Sequence, residues 1–160
     1  MTAATDGAPR TRMWIPQTNP AVYKALVALQ RASSEGVPPD LAELVRIRVS
    51  QINGCAYCLH MHLTDAWAAG LDPTTVGMVA VWRESPHLFS DGQRAALEMA
   101  ECVTRLGERG VPDDVFDRAA AIFDDRQLGQ IVAVIVMINA WNRLAVAGDY
   151  PVGLDERVLR

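Results

Sequence analysis

The stretch Cys55-Ala-Tyr-Cys58-Leu-His-Met-His62 is the most informative part of this chain, because it spaces two cysteines and a histidine at helical intervals. An α-helix has about 3.6 residues per turn, so positions i, i+3 and i+7 return to one face. The preceding helix is expected to end at Asn53-Gly54, a typical helix stop, and a new helix to begin near Cys55. Cys55, Cys58 and His62 are therefore predicted to share one face at the start of a helix.

On one helical face, these side chains predict thiol redox chemistry. Two cysteines one turn apart can close a disulfide without unwinding the helix. Cys55 lies at the helix start, where unpaired N–H groups and the helix dipole stabilise a thiolate. His62 lies one turn beyond Cys58, where it could accept or return a thiol proton.

Two other interpretations of the same residues stay open. Both cysteines could be small buried hydrophobic residues, with His62 a hydrogen-bonded histidine of the core. Alternatively, the two thiolates and His62, with Glu43 as a fourth ligand, could bind zinc, although zinc ligands usually come from separate segments. The second interpretation predicts a metal-binding protein.

Glu43 lies on the preceding predicted helix and has two candidate roles. If the two helices form a tight antiparallel hairpin, its carboxylate could point at His62, fix the tautomer and raise the basicity of the imidazole. Asp40 and Glu43 also have the spacing of a capping box, in which Glu43 would only close the end of its own helix. The two roles compete, and spacing alone does not choose between them.

Helix start signals recur through the rest of the chain, and no alternating run of strand length interrupts them. Helices are predicted to start at Asn19-Pro20, Asp40, Cys55, Asp72-Pro73, Ser90 and Asp124, and another to follow the break from Gly107 to Pro112. The helix that starts at Asp72 is expected to reach Trp82. The predicted fold class is all-α, a compact bundle of about six to seven helices. Residues 19–147 are predicted to form the helical domain, between an N-terminal arm at 1–18 and a C-terminal arm at 148–160.

Composition and charge narrow the class of protein. The 160 residues are 50% hydrophobic and 21% charged, which is typical of one soluble globular domain. The net charge of −4 leaves no basic surface for nucleic acid, and the most apolar stretch, 131–138, is too short to cross a bilayer. Residues 1–12 lack the apolar core of a secretory signal, and three cysteines cannot all pair within one chain. A reducing, cytoplasmic location without membrane or nucleic-acid partners is therefore expected.

Some polar or reactive residues outside the motif are predicted to be structural. Cys102 falls on the apolar face of its helix and is expected in the core. Asn139 and Asn142 are polar residues within an apolar helix. They could bind buried carbonyl groups or reach towards the site from a neighbouring element, and we expect the structural role.

The segment from Glu43 to Gly54, followed by Cys-x-x-Cys-x-x-x-His, resembles the core signature of the alkyl hydroperoxidase D (AhpD) and carboxymuconolactone decarboxylase family. Flanking segments are also similar to typical members: Ile15-Pro16, Tyr23-Lys24-Ala25-Leu26 and Ile138-Asn-Ala-Trp-Asn-Arg-Leu144. The resemblance implies an AhpD-like helical fold that assembles into trimers or dimer-based hexamers. It also implies a cofactor-free peroxidase of antioxidant defence, with a small hydroperoxide as substrate and a thiol or dithiol as electron donor.

The resemblance also implies a role for each residue of the motif. Cys58 would be the thiolate that attacks the peroxide, Cys55 the partner that closes the disulfide, and His62 with Glu43 the proton relay. The position of Cys55 at the helix start would instead make it the more acidic thiol, so the order of attack stays open. The best-characterised members carry a second histidine just before the second cysteine. This chain has Tyr57 there, a poor base near neutral pH.

Two alternative functions accompany the thiol peroxidase. The same superfamily includes a lactone decarboxylase, whose chemistry needs acid–base groups and no redox pair, so the intact Cys-x-x-Cys favours the peroxidase. The other alternative is a non-catalytic helical oligomer that binds a partner or a metal through the same face. Homo-oligomerisation is expected because the helices carry more apolar surface than one small bundle needs.

Overall fold

A computed structural model describes residues 11–153, which fold into eight α-helices and two short 3-10 helices without a β-strand. The α-helices are α1 (Ile15–Thr18), α2 (Pro20–Ser34), α3 (Pro39–Ile52), α4 (Ala56–Ala68), α5 (Pro73–Met78), α6 (Asp91–Thr104), α7 (Asp113–Ala120) and α8 (Asp125–Gly148). The two 3-10 helices, Val79–Glu84 and Pro86–Leu88, connect α5 to α6. The all-α prediction is confirmed.

Several helix boundaries coincide with the predicted signals. Ser90 precedes α6 and Asp124 precedes α8, each with a glutamine three residues later that completes a capping box. Asp72 caps α5 by accepting a backbone N–H of its first turn. Gly54, with a φ of 63°, follows α3 in a left-handed conformation that favours glycine. These local signals determine where the helices around the site begin and end.

Two helical segments differ from the predicted bundle. The helix predicted from Asp72 to Trp82 is α5 only as far as Met78, after which the backbone tightens into the 3-10 helix Val79–Glu84. Val81 within it has a φ of −125°, outside the helical range. The short α1 lies inside the predicted N-terminal arm, so the number of helices is larger than expected.

Residues 1–10 and 154–160 of the predicted arms lie outside the described residues, but the described parts of the two arms contact one another. The N–H of Arg12 donates to the carbonyl oxygen of Gly148 at 2.8 Å. A Cβ at position 148 would lie 2.4 Å from the carbonyl oxygen of Met13. This close approach of two backbones therefore requires glycine.

Helices α3 and α8 lie at the centre of the bundle. α3 packs against α4, α6 and α8, and α8 also contacts α2 and α6. Their inward faces carry fully buried aliphatic side chains, among them Leu44, Ile47 and Ile135. Burial of such side chains is the main favourable contribution to folding, about 25 cal/mol per Å² of apolar surface. Both helices also carry polar side chains into this core, and those side chains build the site.

The apolar stretch at 131–138, which was expected to be too short to cross a bilayer, is part of the longer helix α8. The helix that contains this stretch has 24 residues and is long and apolar enough, by length and composition, to cross a membrane. In this structure it is the central helix of the bundle, where it packs against α2, α3 and α6 and buries the amides of Asn139 and Asn142. A long core helix meets both criteria since it needs apolar residues around most of its circumference.

Candidate functional site

The turn between α3 and α4 positions the two cysteines. Cys55 caps the start of α4, and its N–H donates to the carbonyl oxygen of Ser50 at 3.0 Å. Its Sγ accepts the N–H of Cys58 at 3.4 Å. Both side chains are buried, with exposed fractions of 2% for Cys55 and 1% for Cys58. They are free thiols in mutual contact within the first turn of a helix.

The two thiols differ in acidity. The hydrogen bond from Cys58 is the main cause that lowers the pKa of Cys55 to about 7. Backbone N–H groups of the first turn and Asn142 also lower this pKa, whereas burial opposes the shift. The same hydrogen bond, burial and the negative charge of Cys55 raise the pKa of Cys58. The first proton that the pair loses therefore comes from Cys55, and the resulting negative charge lies on its sulfur.

Glu43 lies against His62 between α3 and α4. The Nδ1 atom of His62 is 2.8 Å from Oε2 of Glu43, and the side chains are 3% and 9% exposed. The other carboxylate oxygen accepts a hydrogen bond from the guanidinium of Arg46. α3 begins at Pro39 without a side-chain cap, so the capping-box interpretation of Asp40 and Glu43 is wrong.

The ionisation of Glu43 determines which nitrogen of His62 can accept a proton. Burial raises the pKa of the Glu43 carboxyl, but the hydrogen bond and charge of His62, together with Arg46, lower that pKa by more. The carboxyl is therefore ionised near neutral pH and can only accept, so Nδ1 of His62 donates to it. In the neutral imidazole this leaves a lone pair on Nε2, the atom that can act as a base.

A small cavity of about 10 Å³ lies beside His62 and has room for one water-sized molecule. Its other walls combine polar and apolar side chains from α2, α3 and α8: Gln30, Ser33, Arg46, Val134, Met137, Ile138 and Trp141. The indole Nε1 of Trp141 is buried and has no hydrogen-bond partner among the described residues. The cavity thus offers a small polar molecule a place next to the imidazole.

The structure arranges the four predicted site residues as two pairs, the two thiols and Glu43 with His62. Within residues 11–153 no hydrogen bond joins His62 to either sulfur. The zinc alternative gains no support, because in the same residues the potential ligand atoms within 4.8 Å of one another belong to Glu43, His62 and Asp65, without a thiol. The positive Arg46 bound to Glu43 further opposes a cation at that place.

Three polar residues beside the thiols complete the site. Asn142 of α8 is fully buried, and its Nδ2 donates to the Ser50 hydroxyl at 3.1 Å while its Oδ1 accepts from Nδ2 of Asn53 at 2.9 Å. Asn142 also helps to lower the pKa of both thiols. From the sequence we expected a structural role for Asn142, with a reach towards the site as the alternative, and Asn53 was predicted only as the end of a helix. The one signal in the sequence was a polar residue inside an apolar helix.

Comparison with known proteins places this geometry in a family. The sequence profile of the carboxymuconolactone decarboxylase family matches residues 20–101, a range that contains Glu43, both cysteines of the pair and His62. The chain belongs to the carboxymuconolactone decarboxylase family. A relative with a solved structure has the same AhpD-like fold.

Three proteins are similar to this member of the carboxymuconolactone decarboxylase family. The uncharacterised protein YdfG of Bacillus subtilis (strain 168) is 38% identical over 105 residues, which are 66% of this chain and 71% of YdfG. The uncharacterised protein YnjA of Escherichia coli (strain K12) is 35% identical over 115 residues, which are 71% of this chain and 61% of YnjA. A crystal structure of a protein of unknown function from Agrobacterium tumefaciens, a candidate AhpD antioxidant defence protein, has a TM-score of 0.86 and 35% identity. The likeness covers 91% of this chain and 100% of that one, and it confirms the AhpD-like fold.

Tyr57 occupies the place where the best-characterised pattern of the carboxymuconolactone decarboxylase family has a second histidine. Its ring packs edge-on against the ring of Tyr150, with centroids 5.4 Å apart. Its backbone N–H also helps to lower the pKa of Cys55. Tyr57 therefore contributes a main-chain N–H to the site, and its ring connects α4 to the segment that follows α8.

Proposed function

We propose that this chain is a cytoplasmic thiol-dependent hydroperoxidase, a disulfide oxidoreductase that reduces a small hydroperoxide and is recycled by a thiol or dithiol donor. The observation that carries the proposal is the pair of contacting thiols at the start of α4, whose mutual hydrogen bond lowers the pKa of Cys55 and raises that of Cys58. A thiolate is the reactive form of cysteine towards peroxide, and a neighbouring thiol can resolve the sulfenic acid that results. The Glu43–His62 pair supplies a group that can accept and return protons.

The proposed reaction consumes one hydroperoxide and the reduced thiol pair. The Cys55 thiolate attacks the distal oxygen, the O–O bond breaks, and the products are a sulfenic acid and an alkoxide, which is protonated to the alcohol. Cys58 then loses its proton and attacks the sulfenic sulfur, which forms the disulfide and expels hydroxide, and hydroxide is protonated to water. One of the two protons comes from Cys58 and one from solvent, and we assign their transfer to His62. The hydroperoxide gains two electrons from the thiol pair. The thiol donor later supplies two electrons that reduce the disulfide.

The order of attack in this proposal differs from the order that the family resemblance implies. The resemblance assigns attack to Cys58, whereas the acidities favour Cys55, because the ionised thiol is the nucleophile. Treating the variants Cys55→Ser and Cys58→Ser with hydroperoxide and dimedone separates the two. We expect the sulfenic adduct in Cys58→Ser, which keeps Cys55, and little in Cys55→Ser. The opposite result would assign the attack to Cys58.

Thiol titration before and after one equivalent of cumene hydroperoxide tests the proposed function. The titration should use the Cys102→Ser variant, in which the only thiols to count are those of the pair. Cys102 is not needed for the reaction, since burial and the nearby Glu98 and Glu101 raise its pKa. We expect rapid loss of both thiols and a disulfide between Cys55 and Cys58 by mass spectrometry. Persistence of both thiols would overturn the proposal.

Lactone decarboxylation is the second candidate, favoured by the buried Glu43–His62 pair beside a small cavity, which could do acid–base chemistry without the thiols. The double variant Cys55→Ser/Cys58→Ser separates the two functions. A peroxidase loses all turnover in this variant, whereas a decarboxylase keeps its lactone turnover.

We also propose that the protein is a homo-oligomer, a trimer or hexamer. The α8 side chains Val136 and Val146 are 51% and 52% exposed, and Leu29 of α2 is 50% exposed. Apolar surface of this kind is typical of contacts between copies of a chain. Size-exclusion chromatography with light scattering should give three or six copies, and a monomer would contradict this proposal without affecting the thiol chemistry.

A further inference from the structure

Asn142 links the thiol pair to the central helix of the bundle. Its side chain is fully buried, with an exposed fraction of 0%. A primary amide has two N–H donors and one carbonyl acceptor, and a buried polar group without a partner costs free energy. The partners of this amide therefore show what holds it in place and where its second N–H can go.

Two partners fix the orientation of the Asn142 amide. Its Oδ1 accepts from Nδ2 of Asn53 at 2.9 Å, and its Nδ2 donates one hydrogen to the Ser50 hydroxyl at 3.1 Å. Ser50 in turn holds the N–H of Cys55 through its carbonyl oxygen at 3.0 Å. The donor end of the amide therefore lies beside the residue that positions Cys55, and among the described residues the second hydrogen on Nδ2 has no other acceptor within hydrogen-bond geometry.

We propose that this second N–H of Asn142 donates to the thiolate of Cys55, which makes Asn142 a further residue of the active site. The catalytic meaning of the contact rests on the proposed function. The other groups that act on the Cys55 sulfur are Cys58 and backbone N–H groups, all within α4. Asn142 is thus a donor to Cys55 from outside the motif, on the central helix α8.

Asn139, one turn earlier on α8, provides a matched comparison. Its Oδ1 accepts from the same Nδ2 of Asn53, at 3.0 Å, and its side chain is also buried. Its own Nδ2 donates to the hydroxyl of Thr104 and to the carbonyl oxygen of Ile135, each at 3.0 Å. Asn139 therefore shares the Asn53 contact of Asn142 while its donors point elsewhere.

The pH dependence of Cys55 alkylation by iodoacetamide, followed by mass spectrometry, tests the proposal without any peroxide. The wild-type midpoint should lie near the pKa of about 7. Asn142→Leu should raise the midpoint by about one pH unit or more, because a hydrogen bond to a charged group is lost. Asn139→Leu should leave the midpoint in place. If circular dichroism shows that Asn142→Leu is unfolded, Asn142→Asp keeps the size of the side chain and should also raise the midpoint, since a negative charge replaces the donor.

The outcomes separate this inference from the proposed function. An unchanged midpoint in the folded Asn142 variants, or an equal rise in Asn139→Leu, would overturn the role of Asn142. A raised midpoint in a protein that reduces no hydroperoxide would keep Asn142 as the thiolate donor and overturn the peroxidase. Full peroxide turnover with an unchanged midpoint in the Asn142 variants would support the peroxidase and overturn the role of Asn142.

Discussion

Two buried glutamates, Glu43 on α3 and Glu101 on α6, serve different purposes in this bundle. Both residues, main chain included, are 7% exposed, and in both the partners outweigh burial and lower the carboxyl pKa. Glu43 shares its carboxylate between Arg46, which stays charged, and His62, which can lose a proton. Glu101 binds donors that keep their protons across the physiological pH range: Arg48, Arg83 and the indole of Trp82.

The difference between these two regions lies in whether the partners can change their protonation. A carboxylate surrounded by permanent donors is a fixed connection, and Glu101 joins α6 to α3 and to the 3-10 helix Val79–Glu84. A carboxylate that faces an imidazole changes its interaction whenever the imidazole gains or loses a proton. We therefore expect Glu101 to determine stability and Glu43 to determine turnover.

Glu101→Gln is expected to have the largest effect, on the free energy of unfolding. The variant leaves the side chain of Arg48, which is 13% exposed, without its negative partner. Removing one partner of a buried ion pair costs about 3 kcal/mol. Urea unfolding followed by circular dichroism measures the loss, and turnover per folded molecule should stay at the wild-type value. A loss below about 1 kcal/mol would place Glu101 among the weak surface pairs.

Acid unfolding provides the control for this prediction. The folded pKa of Glu101 lies below its ordinary value of 4.5, so its contribution to stability is complete above that pH and is lost as the pH falls through the lowered pKa. Glu101→Gln has no such carboxyl and should lose less stability over the same interval. Equal acid sensitivity of both proteins would contradict the assignment.

Glu43→Gln is expected to lower hydroperoxide turnover about 100-fold, because the relay loses the charge that orients and supports His62. The amide oxygen of glutamine can still accept from Nδ1, so the geometry should persist. Steady-state turnover together with urea unfolding measures both consequences. Wild-type turnover in this variant would remove Glu43 from the relay, and the matched Glu101→Gln protein shows what a loss of stability alone does to activity.

We expect the smallest effect from removing the indole N–H of one tryptophan in each region, Trp82 near Glu101 and Trp141 near His62. The indole Nε1 of Trp82 donates to Glu101 at 3.1 Å, whereas Nε1 of Trp141, beside the His62 cavity, has no partner in the described part of the chain. Trp82→Phe should cost about 1 kcal/mol through the lost hydrogen bond, and Trp141→Phe less than half of that. Urea midpoints compare the two. The reverse order would mean that the Trp141 indole donates to a bound molecule or a second copy of the chain.

The local parts of this structure could be predicted from the sequence. The start of α4 at Cys55 and the caps at Ser90 and Asp124 depend on residues within a few positions of one another, and the helical period places Cys55 and Cys58 within one turn. The break after Met78 could not be predicted in the same way. The 3-10 turn that follows places Trp82 and Arg83 on Glu101, an arrangement imposed by packing between distant segments.

The rest of the site depends on contacts between residues that are far apart in the chain. Glu43 and His62 are 19 positions apart, and their hydrogen bond exists only because α3 and α4 form a hairpin. The spacing with Asp40 predicted a capping box equally well, and only the packing decides between the two. Asn142 is 92 positions from Ser50, so its place beside the thiols depends on how α8 crosses the α3–α4 turn. No local rule contains that information.

Because the N–H of Arg12 lies 2.8 Å from the carbonyl oxygen of Gly148, the described chain follows a nearly closed circuit. A circular permutant with linked ends could open new termini in the exposed residues 105–109, between α6 and α7. Such a permutant would keep α3, α4 and α8 intact. The thiols, the imidazole and the α8 amide would then meet in the same arrangement although α8 would precede α3 in the chain.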